Sequence, residues 1–228
     1  MAEHTVRLVC FANSRKPNGR CVAGKVFAGS NKGRWVRPVN LINGGSLSSL
    51  DRRYKGGAEP AILDVIDIVL TKRCNHDYQP ENYQINKDVY WSLVEEISSS
   101  QALTFLDPPS MGLWGTNHGS SGRGMNDRVP ENLAPSYGSS LRLILVSDLK
   151  IRVATEGAAF GESRRSVRGS FTYEGDYYTL KITDPEIEEF YTAGDDSVDD
   201  VGKAMLCVSL GELLNGFAYK LSAGIVPL

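Results

Sequence analysis

The sequence predicts a mainly β protein with short helices, folded as two small barrels. Three observations lead there. Apolar runs of strand length recur along the chain, cut by Gly, Pro and Asn turns. The C-terminal half orders its elements as three strands, a helix and two strands. The length of 228 residues suits two domains at a typical size of ~100–150 residues each.

The elements follow in order. Thr5–Ala12 alternates and is rich in Val, Leu and Phe, so it reads as a strand. Pro17 and Asn18-Gly19 mark a turn within Ser14–Gly19. Arg20–Ala28 is a second strand, Gly29–Gly33 a turn, and Arg34–Val39 a third strand, giving a three-stranded meander. A polar stretch from Asn43 to Gly57 precedes a long strand over Ala61–Lys72. Lys87–Ser98 reads as a helix, because Val89, Leu93 and Ile97 recur at helical spacing. Asp107–Pro135, interrupted by five glycines, is the least regular part; a loop that long inside a compact domain is usually functional or mobile.

The C-terminal half is clearer. Leu141–Ala154 is a strand, and Arg164–Tyr173 and Tyr177–Ile182 flank Glu174-Gly175-Asp176, a hairpin signal. Asp184 caps a short helix through Tyr191, with Pro185 at its first position and Glu186 and Glu188 in its first turn. An acidic loop from Asp195 to Asp200 follows, and Ala204–Leu210 and Phe217–Val226 close the chain as strands. This order is that of the OB barrel, with its helix between the third and fourth strands, a fold that binds oligonucleotides and oligosaccharides. The first half starts the same way. The expected domains are residues 1–135, basic, with a helix and a Gly-rich loop, and 136–228.

Composition narrows the function. Hydrophobic residues at 41% and charged residues at 23% fit a chain with a buried core. No apolar run approaches the ~20 residues of a membrane span, and the opening Met-Ala-Glu-His shows no export signal. Cys10, Cys21, Cys74 and Cys207 are not paired at metal-ligand spacing, so a cytoplasmic protein with reduced thiols and no metal or cofactor is expected. The net charge of −2 hides an asymmetry. Residues 1–73 hold 13 basic and 5 acidic side chains, and the remainder 12 and 22. This points to a polyanion-facing region and a separate acidic one; the alternative is two solvated faces that pair with each other.

The candidate ligand residues sit in four places. Ser14, Arg15, Lys16 and Arg20 surround one turn, where backbone N–H groups and guanidinium forks suit phosphate. Trp35 and Arg37 share a strand face, so the indole would stack a base and the guanidinium contact backbone or a base edge; the alternative is a core tryptophan beside a surface arginine. Arg164 and Arg165, with Arg168, form a second basic cluster on the second strand of the C-terminal barrel, or else an exposed basic edge. Tyr219 and Lys220, with Glu212, either meet at a site or decorate a hairpin. Catalytic signatures are absent: no nucleophile elbow, phosphate-binding Gly-Lys-Ser/Thr loop or His-Glu-x-x-His occurs. His118 with Ser120 or Ser121 would need an orienting partner to act as base and nucleophile.

The stretches Asn13–Lys16 with Gly19–Gly24, Arg34–Pro38, Leu180–Pro185, Cys207–Glu212 and Tyr219–Leu221 resemble a family of prokaryotic proteins with a dual OB-fold domain. The resemblance spans nearly the whole chain. It implies two OB-like barrels, a nucleic-acid or nucleotide ligand, and a setting in conflict and antiviral systems. It carries no catalytic residues. Where the family's Ser-Arg-Lys turn usually has a glycine, Pro17 stiffens it here.

Three functions remain open at this point. The first is a binding module for single-stranded nucleic acid or a nucleotide. The second is an interaction or specificity subunit of a defence complex, docking a partner through the acidic region 184–200. The third is a small nucleotide-processing enzyme with residues 111–128 as a lid.

Overall fold

The computed structural model describes residues 3–120, 123–157 and 164–228. The chain divides into two compact units, one of residues 1–106 with 138–140, the other of 107–137 with 141–228. Residues 107–135, expected with the first half, thus cluster with the second. The reason is local pairing: β7 (Arg128–Pro130) adds to the edge of β12 (Phe217–Pro227), with Val129 opposite Ala218.

The first unit is a closed five-stranded barrel. β1 (His4–Lys16), β2 (Gly19–Val26) and β3 (Trp35–Val39) form the expected meander, and β4 (Asp64–Arg73) pairs with β1 to close the ring through β5 (Asn82–Ile85). β5 runs parallel to β3, with Arg37 opposite Asn82. Leu8, Cys10, Val22, Val36, Ile66, Ile68 and Leu70 fill the interior from alternate positions. Burying each such aliphatic side chain contributes ~1.5–3 kcal/mol. A short helix, α1 (Ser49–Arg52), follows the third strand. Ser48 and Asp51 cap it reciprocally.

The helix expected over Lys87–Ser98 is a strand. β6 (Ser92–Glu96) pairs antiparallel with β4, with Asp64 opposite Glu96. The helical spacing misled because Val89 and Leu93 are exposed, while Trp91, off that stripe, fills the core beside Tyr54. Tertiary pairing overrides the local period here. α2 (Ser99–Ala102) then leads into Phe105.

The second unit repeats the ring. β8 (Leu141–Glu156), β9 (Arg164–Tyr173), β10 (Asp176–Ile182), β12 and β11 (Ser197–Leu214) close through β11–β8, and β10 runs parallel to β12. Glu174 and Gly175 both take positive φ in the two-residue β9–β10 turn, which suits the twist of a hairpin. α3 (Pro185–Thr192) lies between the third and fourth strands of this barrel. Asp184 accepts from the Glu186 N–H at 3.1 Å, as the sequence led one to expect. The acidic loop is shorter than expected, since Ser197–Asp200 already belong to β11. Asp199 and Asp200 stand opposite Ile151 and Lys150, so strand pairing, not solvation, sets their conformation.

No helix among the described residues is long and apolar enough to cross a membrane.

Candidate nucleic-acid interface

The second barrel's first three strands turn one face inward and one outward. Ile151, Val153, Val167, Phe171, Tyr178, Leu180 and Ile182 are buried. The intervening positions therefore form the outer face. They are Arg152 and Glu156 on β8, Arg164, Ser166, Arg168 and Ser170 on β9, and Tyr177, Thr179 and Lys181 on β10. An OB barrel engages its ligand on this side, around its second and third strands.

The registers align three cations across this face. Arg152 stands opposite Arg168, and Arg168 opposite Lys181. Like charges placed directly opposite in a sheet are destabilising. Among the described residues only one of the three is neutralised closely: Arg168 donates from Nε and Nη2 to Glu156 at 2.8 and 3.0 Å. Burial works to raise the Glu156 carboxyl, yet the hydrogen bonds and charge of Arg168 carry it below the usual carboxylate range. Burial and the nearby Arg164 and Arg168 push the Lys181 ammonium down. An anion on this face would relieve that repulsion.

The loop before β7 completes the face. Arg123 reaches it from one side, and the buried Asp127 approaches Arg168 at 4.0 Å. Asp127 accepts from the Ser120 N–H at 2.7 Å and the Ser120 hydroxyl at 2.8 Å, which pins the loop. Ser120 is thus committed to Asp127, and Ser121 lies outside the described residues. Arg123, Arg152, Glu156, Ser166 and Arg168 line a polar cavity of about 160 Å³. The Ser170 and Thr179 hydroxyls are 3.0 Å apart at its edge. Tyr177, 49% exposed, is the aromatic ring on its wall.

Of the expected residues, Arg164 joins this face and Arg165 does not. Arg165 has the opposite strand parity and lies 3.3 Å from Asp196. Tyr219 and Lys220 also point to opposite sides of their strand. Lys220 is 1% exposed and donates to the Gly115 carbonyl at 2.6 Å, above the Tyr178 ring. Burial pushes its ammonium down to about 8, against the pull of Asp127. Tyr219 pairs in register with Arg128, and Glu212 is exposed on β11.

In the first barrel the turn residues do come together. The β1–β2 hairpin sets Arg15 opposite Arg20 and Lys16 opposite Gly19. Backbone hydrogen bonds of 2.9 Å in both directions tie Arg20 to Leu47, and Ser46 Oγ donates to the Pro17 carbonyl at 2.6 Å. A side chain at position 19 would collide with the Leu47 carbonyl, so glycine is required there. Ser14 is buried and its hydroxyl donates to the Cys21 carbonyl at 3.4 Å. Trp35 is elsewhere: it pairs with Lys25, five residues along β2 from Arg20, or ~17 Å at the rise of a strand.

Trp35 and Arg37 share the barrel's outer face as expected, but the chain itself covers that face. The Phe105 ring lies 5.8 Å from Phe11 and 6.4 Å from Phe27, and Lys25 donates to the Phe105 carbonyl at 2.7 Å. Trp35 meets Phe11 edge-on at 6.2 Å and has the Lys25 ammonium 4.9 Å from its ring. Arg37 is 3% exposed and donates to Ser140 Oγ at 3.0 Å and Asn82 Oδ1 at 3.3 Å. It is held inside the protein by these side-chain acceptors and is not offered to a ligand.

Arg123, Arg152 and Lys181 escaped the sequence reading. The signal was present as Lys150, Arg152 and Glu156 on one parity of β8, broken by Ala154, and as polar residues at every second position in 164–170, but only the register across strands shows that these rows coincide.

No curated protein and no solved structure is significantly similar to the chain. The family model for the dual OB-containing domain matches residues 6–225, and both barrels close in the 1-2-3-5-4-1 order of that fold. The chain belongs to the dual OB-containing domain family.

Proposed function

We propose that this protein binds single-stranded nucleic acid across β8, β9 and β10, with phosphates on Arg152, Lys181, Arg164 and Arg123 and a base on Tyr177. The observation that carries the reading is the row Arg152–Arg168–Lys181, three cations at one level of an open OB face. Arg168, held by Glu156, supplies a fixed guanidinium at the centre. Ser166, Ser170 and Thr179 add neutral donors beside it. The Arg15–Arg20 hairpin of the first barrel is a second, separate basic element in this proposal. A prokaryotic conflict setting and a cytoplasmic location belong to the same reading. They rest on the family resemblance and on four cysteines of which none forms a disulfide.

The test is fluorescence anisotropy with a labelled single-stranded oligonucleotide over a salt series. Four phosphate contacts give a log–log slope of about −3, at ~0.7 per phosphate on a single strand. Arg152→Glu with Arg164→Glu should weaken binding and flatten the slope. Unchanged affinity in that double variant, with the fold intact, would remove the assignment.

A further inference from the structure

A second cavity lies at one end of the first barrel and has a different character. Its volume is about 640 Å³, within the ~300–1,000 Å³ of small-molecule sites, which favour the mouths of barrels. Val6, Val26, Val36, Leu70 and Tyr83 form an apolar floor; all five belong to or pack against the barrel core. The rim is polar. His4 and Arg7 rise from the start of β1, and Asn31 and Arg34 from the loop between β2 and β3. Trp35 stands half-buried at the edge.

Charge and shape restrict what fits. Arg7 and Asp67 neutralise each other through two 2.8 Å hydrogen bonds. Arg34 donates to Asn31 Oδ1 at 2.9 Å, which holds its cationic head on the loop while both residues stay exposed. The loop adds Ser30, and Gly29 and Gly33 there have positive φ with open space where a side chain would be. An apolar, aromatic floor thus meets a rim with a net positive charge and several hydrogen-bond donors. A flat ring with an anionic tail satisfies both halves.

We infer that this barrel mouth is a binding site for a free nucleoside monophosphate, with the base on the Trp35–Tyr83 side and the phosphate on Arg34 and the Ser30–Asn31 loop. It is separate from the strand-binding face of the second barrel and does not depend on it.

The test uses tryptophan emission of the full chain. Of the three tryptophans, Trp91 and Trp114 are buried at 1% and 2% exposure, so a ligand in this cleft reports through Trp35. The probes are AMP, GMP, CMP and UMP, each with its nucleoside. Saturable quenching by at least one monophosphate is expected. The matching nucleoside should bind about tenfold more weakly, for loss of charge-assisted hydrogen bonds. Arg34→Glu should weaken the monophosphate about tenfold, and Arg152→Glu should leave it unchanged. Saturation-transfer NMR on the same samples gives a second readout that does not depend on the fluorophore. Absence of saturable quenching and of saturation transfer at millimolar monophosphate overturns the inference. So does quenching by oligonucleotides alone that disappears in Arg152→Glu, since that would assign the signal to a strand held on the other barrel.

Discussion

Arg152 stands directly opposite Arg168 in the β8–β9 pair, and among the described residues it is Arg168 that has carboxylates at hand, Glu156 at 2.8 Å and Asp127 at 4.0 Å. A like-charge pair of this kind costs ~0.2–1 kcal/mol. Replacing Arg152 by Thr keeps a strand-compatible side chain and removes the repulsion. The variant is expected to gain up to ~1 kcal/mol, or ~2–4 °C in melting temperature for a chain of this size, while losing affinity for single-stranded oligonucleotides. Calorimetry and anisotropy on one preparation check both. A variant that loses stability and keeps its affinity would show Arg152 to be structural.

Arg37 illustrates the opposite case. Its guanidinium bonds Ser140 and Asn82, and Ser140 in turn donates from its N–H to Glu81 at 2.7 Å. Arg37→Met fills similar space but leaves these buried acceptors short of a charged donor. The expected loss is ~2–3 kcal/mol, the usual cost of removing hydrogen bonds to a charged group, read as a lower urea midpoint. Nucleic-acid affinity, corrected for the folded fraction, should not move.

Element order in the second barrel was legible from apolar runs and turn chemistry: the strands over 164–173 and 177–182 and their hairpin at Glu174-Gly175 were read directly. The helix α3 was legible from Asp184 and Pro185. β6 was not, because its residues are exposed on both sides and only its pairing with β4 holds it extended. The candidate site was half legible. Arg164 and Arg168 stood out as a cluster, but Arg152, Lys181 and Arg123 come from three separate segments. The misreading of Arg37 has a physical cause. An arginine inside a strand looks the same in sequence whether its fork meets solvent or a buried hydroxyl three sequence segments away, and here Ser140 lies 103 positions on.

Lys220 gives a pH dependence with a definite sign. Its pKa is pushed from 10.5 to about 8 by burial. Below pH 8 the ammonium is protonated in both folded and unfolded chains, and the burial penalty is present in full. Between pH 8 and 10.5 the unfolded chain binds more protons, so stability rises with pH through that window. Lys220→Met lacks this linkage. The stability of the wild type relative to Lys220→Met is therefore expected to increase from pH 7.5 to pH 10, by up to ~3 kcal/mol. Paired denaturant titrations at the two pH values check the sign, and a falling difference would mean that the ammonium is stabilised where it sits.

Phe105 separates the two barrels' behaviour. On the first, it packs against Phe11 and Phe27 and leaves the outer face of β1–β3 covered; on the second, the equivalent strands present Arg152 and Arg168 to a polar cavity, with Lys181 opposite Arg168. If covering is what keeps the first face from acting as a ligand surface, its removal should change access before it changes fold. Phe105→Ala is expected to cost ~3–5 kcal/mol, as for other buried aromatic truncations. It should also raise the acrylamide quenching of Trp35, which meets Phe11 at 6.2 Å on the same face. Quenching measured at a temperature where the variant remains folded distinguishes exposure from unfolding. An unchanged quenching constant would mean that Trp35 is screened by Lys25 and Phe11 alone, and that Phe105 contributes stability without gating the face.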